Sequence, residues 1–278
     1  MIIDGRKTAQ EIVEKLKTLP TPPKILAAVL VGSNPASISF LNQKEKLAKE
    51  LGVDFRIYQF KDELKNDDLR QEVGRLAKQN PIGGIIVQLP LPEHINRHYV
   101  LNAIPREKDI DVLGERALGA FYVGRNPVLP PAVGVVEEIL KYLYENTKKY
   151  ESAKNLKSAV IGYGFLIGKP VVFWLADKVS ELAIFNENTE KLRNKLKNTD
   201  LIISGVGKAD LFSAEDLSED TAVIDFGYDM FGDKISGDFN CVDNAQFKIH
   251  YTPTPGGTGP ILVARLLENF YKLNDTNY

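Results

Sequence analysis

The chain has 278 residues, of which 44% are hydrophobic, so its length and composition predict about two domains with ordinary cores. Its 35 basic and 37 acidic side chains nearly balance, which argues against nucleic acid or an anionic membrane surface as a partner. A single cysteine, Cys241, excludes an internal disulfide and is typical of a cytoplasmic protein.

Several other classes of protein are disfavoured. No apolar run approaches the roughly 20 residues of a membrane span, and the charged, amphipathic first residues are unlike a signal peptide. His94 and His98 could share a helix face, but no third ligand is clustered with them, so we expect surface residues and no metal site. A Ser-His-Asp hydrolase is disfavoured because the sequence has no G-x-S-x-G elbow.

Strand-like and helical segments alternate in the first part of the chain. Apolar runs or alternating patterns predict strands over Lys24–Val31, Val53–Phe60 and Gly84–Leu89. Helical spacing predicts helices over Ala36–Gly52 and Asp67–Gln79. This order is typical of βαβ units with a largely parallel sheet, and therefore of an α/β fold.

A second α/β series follows a proline-rich linker at residues 126–132 and a helix at Val133–Tyr144. The predicted strands are Ala159–Ile161, Leu182–Phe185, Leu201–Ser204 and Ala222–Phe226. A Pro/Gly loop, Thr252–Pro260, precedes a last helix at Ile261–Leu273. We therefore predict two α/β domains, the first at residues 1–126 completed by 256–278 and the second at residues 127–255.

Lys44 lies on the apolar face of the first of these helices. That face contains Phe40, Leu41, Leu47, Ala48 and Leu51. An ammonium group on the buried side of a helix tends to lose its proton, which makes Lys44 a candidate acid or base. The alternative is a packed aliphatic stem whose amine reaches water.

A glycine turn, Gly162-x-Gly164-x-x-x-Gly168, follows the strand ending at Ile161 and precedes a helix. Gly162 would permit the tight turn, and Gly164 would allow close approach of a pyrophosphate to the backbone. The helix N-terminus would supply unpaired N–H donors. This context predicts a dinucleotide site, although glycines can also serve packing alone.

Glu187 follows the next strand and bears on the identity of the dinucleotide. Its carboxylate could accept a hydrogen bond from a ribose 2′-hydroxyl but would repel a 2′-phosphate. The glycine turn contains Tyr163 and no arginine. These features favour NAD over NADP, unless Glu187 is merely a solvated loop residue.

Five segments together resemble the bifunctional methylenetetrahydrofolate dehydrogenase/cyclohydrolase family. They cover nearly the whole chain in the family's order. They are Val31–Ser37 leading to Lys44, Val87-Gln-Leu-Pro-Leu-Pro92, Lys108-Asp-Ile-Asp111, the glycine turn continued by Lys169-Pro170, and Thr252-Pro-Thr-Pro-Gly-Gly-Thr-Gly-Pro260. The second and fifth are the most specific.

The resemblance implies two linked reactions. The first oxidises 5,10-methylenetetrahydrofolate by hydride transfer to NADP, the family default, or NAD. The second hydrolyses the 5,10-methenyl product to 10-formyltetrahydrofolate. A homodimer is implied as well, together with a cleft between an N-terminal α/β catalytic domain and a C-terminal Rossmann-like dinucleotide-binding domain.

The resemblance also assigns roles to residues. It implies that Lys44 is the acid/base of hydrolysis, that Gln88 supports it, and that Asp111 holds the pterin. The implied folate-binding residues are Phe40, Val87, Leu89, Gly256 and Gly257, and the implied cofactor-binding residues are Gly162, Tyr163, Gly164, Glu187 and Tyr228. For Gln88, Asp111 and the two folate-site glycines, strand capping, a turn and a tight loop are the alternatives.

The chain departs from the family pattern at several positions. Phe40 replaces a tyrosine, Val112 replaces a glycine, and residues 129–134 lack the usual cysteine and threonine. Glu187 replaces a serine that lies near the 2′-phosphate in NADP users. These departures leave a folate-binding paralogue without turnover as one alternative. A shikimate-dehydrogenase-like oxidoreductase is another, because such enzymes also pair a catalytic lysine with a C-terminal Rossmann domain.

Overall fold

The computed structural model describes residues 1–147, 149–231, 234–240 and 247–274, so Cys241 lies outside the described residues. The chain divides into two compact units. We call residues 10–131 with 263–278 the lysine unit, and residues 1–9 with 132–262 the glycine-turn unit. These limits differ from the predicted domain limits mainly at residues 1–9 and 256–262.

Helices and strands alternate along most of the described chain. The α-helices are α1 Gly5–Lys17, α2 Pro35–Glu50, α3 Asn66–Ala77, α4 Arg97–Leu101, α5 Glu115–Tyr122, α6 Pro131–Asn146, α7 Gly168–Leu175, α8 Leu192–Leu196 and α9 Thr258–Asn274. The strands are β1 Ile25–Val31, β2 Asp54–Phe60, β3 Ile82–Val87, β4 Lys157–Ile161, β5 Glu181–Phe185, β6 Leu201–Ser204, β7 Phe212–Ser213, β8 Ala222–Asp225, β9 Asp229–Phe231, β10 Lys234–Ser236, β11 Phe239–Asn240 and β12 His250–Tyr251. Within the described ranges, none of the helices has the length and apolar character that a bilayer crossing requires.

The predicted α/β fold is confirmed, and most predicted strands are correct to within one or two residues. The third strand is displaced: β3 ends at Val87, not Leu89. Pro90 lacks an N–H for the ladder, so the strand stops short of it. Helix α6 begins at Pro131, inside the predicted linker, because proline suits the first helical position.

A parallel sheet in the order β2-β1-β3 forms the centre of the lysine unit. The central strand β1 pairs with both neighbours, for example Val29 with Tyr58 on one side and with Val87 on the other. Every residue of β3 is buried, whereas every residue of β2, at the edge, is exposed or half-buried. Helix α2 follows β1 after Asn34, whose side chain caps it by accepting from the Ser37 N–H at 3.0 Å.

A parallel sheet of the order β12-β8-β6-β4-β5 forms the glycine-turn unit among the described residues. Its first strand in the chain, β4, lies between β5 and β6, so the strand order reverses between β4 and β6. In open α/β sheets, ligands bind beyond the carboxyl ends of the strands at such a switch point. The carboxyl ends of β4 and β6 are Ile161 and Ser204.

Two small sheets lie after β6 in the chain. The parallel pair β7/β11 joins Phe212 to Phe239, and β9/β10 is an antiparallel pair. Phe212 and Phe239 also pack into the core beneath β4, β6 and β8. Asp238, between β10 and β11, accepts a hydrogen bond from Ser204 Oγ at the end of β6 at 2.6 Å.

Candidate active site

Lys44 lies on the buried face of α2. The buried residues of this helix are Ser37, Leu41, Lys44 and Ala48. These positions recur with the spacing of one helix face, and the side chain of Lys44 is only 4% exposed. The prediction that this lysine is buried is confirmed, and the alternative of an amine that reaches water is wrong.

Gln88 holds the amine of Lys44. It follows β3 directly, and its backbone N–H donates to Val29 O at 2.9 Å, which continues the ladder for one residue. The Lys44 Nζ donates to Gln88 Oε1 at 3.0 Å, while Gln88 Nε2 donates to Leu89 O at 2.8 Å. A carbonyl can only accept, so the bond to Leu89 requires Nε2 on that side and leaves Oε1 for the lysine.

The charge state of Lys44 follows from its surroundings. Burial lowers the pKa of Lys44, and the negative charge of Asp111 only partly offsets this. Asp111 keeps some exposed surface, but burial of its carboxyl group raises its pKa, against the opposing effect of Lys44. Among the described residues no carboxylate lies within 4.0 Å of this amine, so Lys44 is not held as an ordinary ion pair. Lys44 can therefore lose its proton and act as a neutral amine.

Three predicted folate-binding residues lie beside Lys44 and Gln88. Phe40 precedes Lys44 by one turn of α2, and its ring centroid is 4.9 Å from Nζ. Val87 is the buried last residue of β3, and Leu89 is half-buried next to Gln88. The lysine unit thus places an aromatic ring, an amine and an amide in one cluster.

Two residues that bond to the backbone on either side of Asp111 were missed as site residues by the sequence analysis. Asp109 is 1% exposed and accepts hydrogen bonds from the backbone N–H groups of Leu113 and Gly114 at 3.0 and 2.7 Å. Burial raises the pKa of Asp109 to about 6, against the lowering effect of these bonds. Asn269 of α9 donates from Nδ2 to Ile110 O at 2.8 Å. No local pattern could identify Asn269, because its partner is 159 residues away.

The glycine turn corrects one expectation about the cofactor site. Helix α7 begins only at Gly168. The Lys169 N–H donates to Gly164 O at 3.0 Å, the Val171 N–H donates to Ile167 O at 3.1 Å, and Pro170 has none. The Val171 bond is the first regular bond of the helix, so the prediction of unpaired donors at this helix start is wrong only for Lys169, whose N–H is used by the preceding loop.

The glycines themselves fit a close-approach role. Gly162 has φ +91°, a left-handed conformation that favours glycine. A Cβ on Gly164 would meet nothing within 4 Å, so its backbone faces open space. A Cβ on Gly168 would lie 2.9 Å from Tyr163 Cα, so this glycine serves tight packing of the turn. The turn thus leaves the backbone of Gly164 open to a ligand, while Gly162 and Gly168 allow the turn to fold tightly.

The other predicted cofactor residues also lie near the carboxyl edge of the sheet. Tyr163 is exposed in the glycine turn, and Glu187 is exposed in the loop after β5. Tyr228 lies three residues beyond β8 and is exposed. Sequence analysis missed the loop after β6, Gly205–Lys208, although two glycines directly after a strand were a usable signal.

Gly256 and Gly257 belong to the glycine-turn unit, in the loop that precedes α9. Gly256 has φ +100°. A Cβ on Gly257 would lie 2.5 Å from Pro253 O and 2.7 Å from Thr252 Cβ. Tight folding of this loop therefore accounts for both glycines, and contact with folate stays a prediction for them.

The two histidines considered as metal ligands do not share a helix. His94 precedes α4, and its Nε2 lies 3.1 Å from Leu64 O, whereas His98 is part of α4. Both are exposed. The described ranges contain no group of three His, Cys, Asp or Glu side chains arranged to hold a metal ion.

Comparisons with known proteins agree with this arrangement. Residues 3–111 match the model for the tetrahydrofolate dehydrogenase/cyclohydrolase catalytic domain, and residues 136–278 match the model for the family's NAD(P)-binding domain. The bifunctional protein FolD of Fusobacterium nucleatum is 32% identical over 98% of this chain and 97% of its own length.

Solved structures give the same result. The methylenetetrahydrofolate dehydrogenase-cyclohydrolase of Trypanosoma brucei, solved with NADP and an inhibitor, has a TM-score of 0.89 at 26% identity over 98% of this chain and 96% of its own. Shikimate 5-dehydrogenase from Thermus thermophilus reaches a TM-score of 0.56 at 14% identity, over 90% and 93% of the two chains. That second likeness is one of fold alone.

Proposed function

This chain belongs to the tetrahydrofolate dehydrogenase/cyclohydrolase family, and from that membership we propose how its residues carry out two consecutive reactions. The enzyme oxidises 5,10-methylenetetrahydrofolate to the 5,10-methenyl compound with NAD(P)⁺ and hydrolyses this product to 10-formyltetrahydrofolate. The shikimate-dehydrogenase alternative is supported only by a distant likeness of fold.

The oxidation needs positioning more than proton transfer. Loss of hydride from the carbon between two nitrogens leaves a delocalised amidinium cation, so no proton has to leave in this step. When bound, the nicotinamide supplies the hydride acceptor. The open backbone at Gly164 and the tight turn at Gly162 fit a bound dinucleotide. Tyr163 and Tyr228 offer exposed aromatic surface near the same edge of the sheet.

Hydrolysis requires a base, and we assign this role to Lys44. Water attacks the cationic carbon and gives one proton to the Lys44 amine. The bond from that carbon to the ring nitrogen N5 then breaks, and the lysine returns the proton to N5. The second proton of the water leaves to solvent, so one proton is released per turnover. Burial that lowers the pKa of Lys44 supplies the neutral amine this sequence needs.

The neighbours of Lys44 fit supporting roles. Gln88 Oε1 accepts a hydrogen bond from the amine and so orients Nζ, but it carries no negative charge that would stabilise the protonated form. Asp111 is a suitable acceptor for the N–H donors of the pterin ring. Phe40 offers an aromatic face for stacking, as the family's tyrosine does, but it has no hydroxyl.

The buried bond between Lys44 and Gln88 is the observation that carries this proposal. The direct test follows the absorbance of both folates and of the reduced dinucleotide, starting from methylenetetrahydrofolate with NAD or NADP. We expect reduction of the dinucleotide and then decay of the methenyl compound. Folate binding by calorimetry without either absorbance change would instead establish a paralogue without turnover.

For the dinucleotide, Glu187 favours NAD. Its exposed carboxylate follows β5 and can accept from a ribose 2′-hydroxyl, whereas a 2′-phosphate would meet a like charge. A higher kcat/KM with NAD than with NADP is expected. A clear preference for NADP in steady-state kinetics would contradict this assignment.

We also propose a homodimer formed through the glycine-turn unit. Strand β5 is an edge strand of the described sheet and exposes 44% of Ile184, and helix α7 exposes 42% of Phe173. Exposed apolar side chains on an edge strand and a neighbouring helix are typical of an interface. Light scattering should give twice the chain mass, and Ile184→Lys should shift the measured mass to that of the monomer.

The single cysteine makes the cytoplasm the proposed location.

A further inference from the structure

The loop Gly205–Lys208 touches the glycine turn at the switch point of the sheet. A Cβ on Gly162 would lie 3.0 Å from Gly205 O and 3.1 Å from Val206 Cγ2. A Cβ on Gly205 would in turn lie 2.9 Å from Ile167 Cγ2. The two loops follow the adjacent strands β4 and β6, so they form neighbouring walls of the crevice expected there.

Asp238 holds this loop from inside the protein. Its Oδ2 accepts from Ser204 Oγ at 2.6 Å and from the Val206 N–H at 2.8 Å. Its Oδ1 accepts from the N–H groups of Gly207 and Lys208, both at 2.8 Å. Asp238 is fully buried, and its own carbonyl accepts from the Leu211 N–H at 2.8 Å.

Three consecutive N–H groups that converge on one anion form a nest, a device that usually binds an external anion. Here the chain's own carboxylate fills the nest. The N–H groups of residues 206–208 therefore point into the protein and not toward the crevice. The loop presents the side chain of Val206 instead, which is 47% exposed beside Gly162.

We propose that Asp238 is a positioning residue for dinucleotide binding, acting through the Gly205–Lys208 loop to hold Val206 as an apolar wall of the crevice. The proposal rests on the function proposed above. A carboxylate is needed because it has acceptors for four donors and no N–H of its own. In Asp238→Asn the amide N–H₂ would face the Val206 N–H, which would lose its buried acceptor.

The test compares Asp238→Asn with Asp229→Asn. Asp229 accepts one bond, from the Ala209 N–H at 3.1 Å, which an asparagine oxygen can still accept. We expect Asp238→Asn to raise the calorimetric Kd and the KM for the dinucleotide by about tenfold, the equivalent of about 1.4 kcal/mol. Hydrolysis of methenyltetrahydrofolate, which uses Lys44 in the other unit, should stay within about twofold, and Asp229→Asn should match the wild type in both.

A second variant separates positioning from general destabilisation. Val206→Ala keeps the carboxylate and its bonds, and should weaken dinucleotide binding several-fold without changing the unfolding temperature. If Asp238→Asn unfolds, Val206→Ala decides: a raised dinucleotide Kd supports the proposal, and an unchanged one overturns it. An unchanged Kd in a folded Asp238→Asn overturns it as well. Because Kd is measured by binding, the result stands apart from whether the wild type turns over folate.

Discussion

Replacing Lys44 with methionine removes the proposed base and little else. Methionine has a similar length and an apolar chain, and the lysine side chain is 4% exposed, so the substitution fits the buried face of α2. What it deletes is the amine that donates to Gln88 Oε1 at 3.0 Å. The reaction then loses its proton acceptor while the folate site keeps its shape.

The expected effect is a fall in hydrolysis of about 10²- to 10⁴-fold, the usual contribution of a positioned acid or base. This range corresponds to about 3–5 kcal/mol of transition-state free energy. Hydride transfer should fall far less, because no proton leaves in that step. The two activities of one variant should therefore separate by at least a factor of about 100.

The assay measures both activities on the same preparation. Decay of methenyltetrahydrofolate absorbance reports hydrolysis, and the reduced dinucleotide reports oxidation. Lys46→Met is the matched control, because Lys46 is exposed on the same helix two residues later. If Lys44→Met hydrolyses within about threefold of wild type, less than one-third of the effect on a logarithmic scale, Lys44 is not the base.

The remaining predictions concern neighbouring charges and packing. Because burial lowers the pKa of Lys44, the rate of hydrolysis should rise as pH rises through that pKa. Gln88→Glu adds a carboxylate that raises the pKa of Lys44, so the rising limb of the pH–rate profile should move to higher pH. Glu187→Ser should improve kcat/KM for NADP by about fivefold, or about 1 kcal/mol for an exposed charge, and an unchanged NADP/NAD ratio would contradict that role. Gly168→Ala would place a Cβ 2.9 Å from Tyr163 Cα and should destabilise the protein by about 1–3 kcal/mol. Gly119→Ala lies inside α5, where a Cβ would meet nothing within 4 Å, so thermal unfolding should show a free energy of unfolding higher by about 0.5–1 kcal/mol.

Much of the fold could be predicted from local pattern. The alternation of apolar runs and helical spacing located seven of the eight strands in the two larger described sheets, because side-chain period and burial are properties of neighbouring residues. The two-residue strand β12 was missed. Element ends were less predictable: β3 ends two residues earlier than its apolar pattern, and α6 begins inside the proline-rich segment. Proline accounts for both, through the donor it lacks and the first helical turn it favours.

The site could be predicted where a residue type departs from the pattern of the residues around it. Lys44 interrupts an apolar helix face, and the glycine turn follows a strand, so both are visible in the sequence. The hidden parts depend on distant partners. Asn269 supports the Asp111 segment from 159 residues away, and Asp238 gathers donors from 30 to 34 residues earlier in the chain.

The sequence by itself determined that this is a two-part α/β protein with a lysine on a buried helix face and a glycine turn after a strand. Tertiary structure alone decided where the N–H donors point. At the start of α7 the Lys169 N–H is used by the carbonyl of Gly164, and in the loop after β6 the N–H groups of residues 206–208 are used by Asp238. The physical reason is that a hydrogen bond depends on which groups meet in space, and residues far apart in the chain leave no local pattern of that meeting.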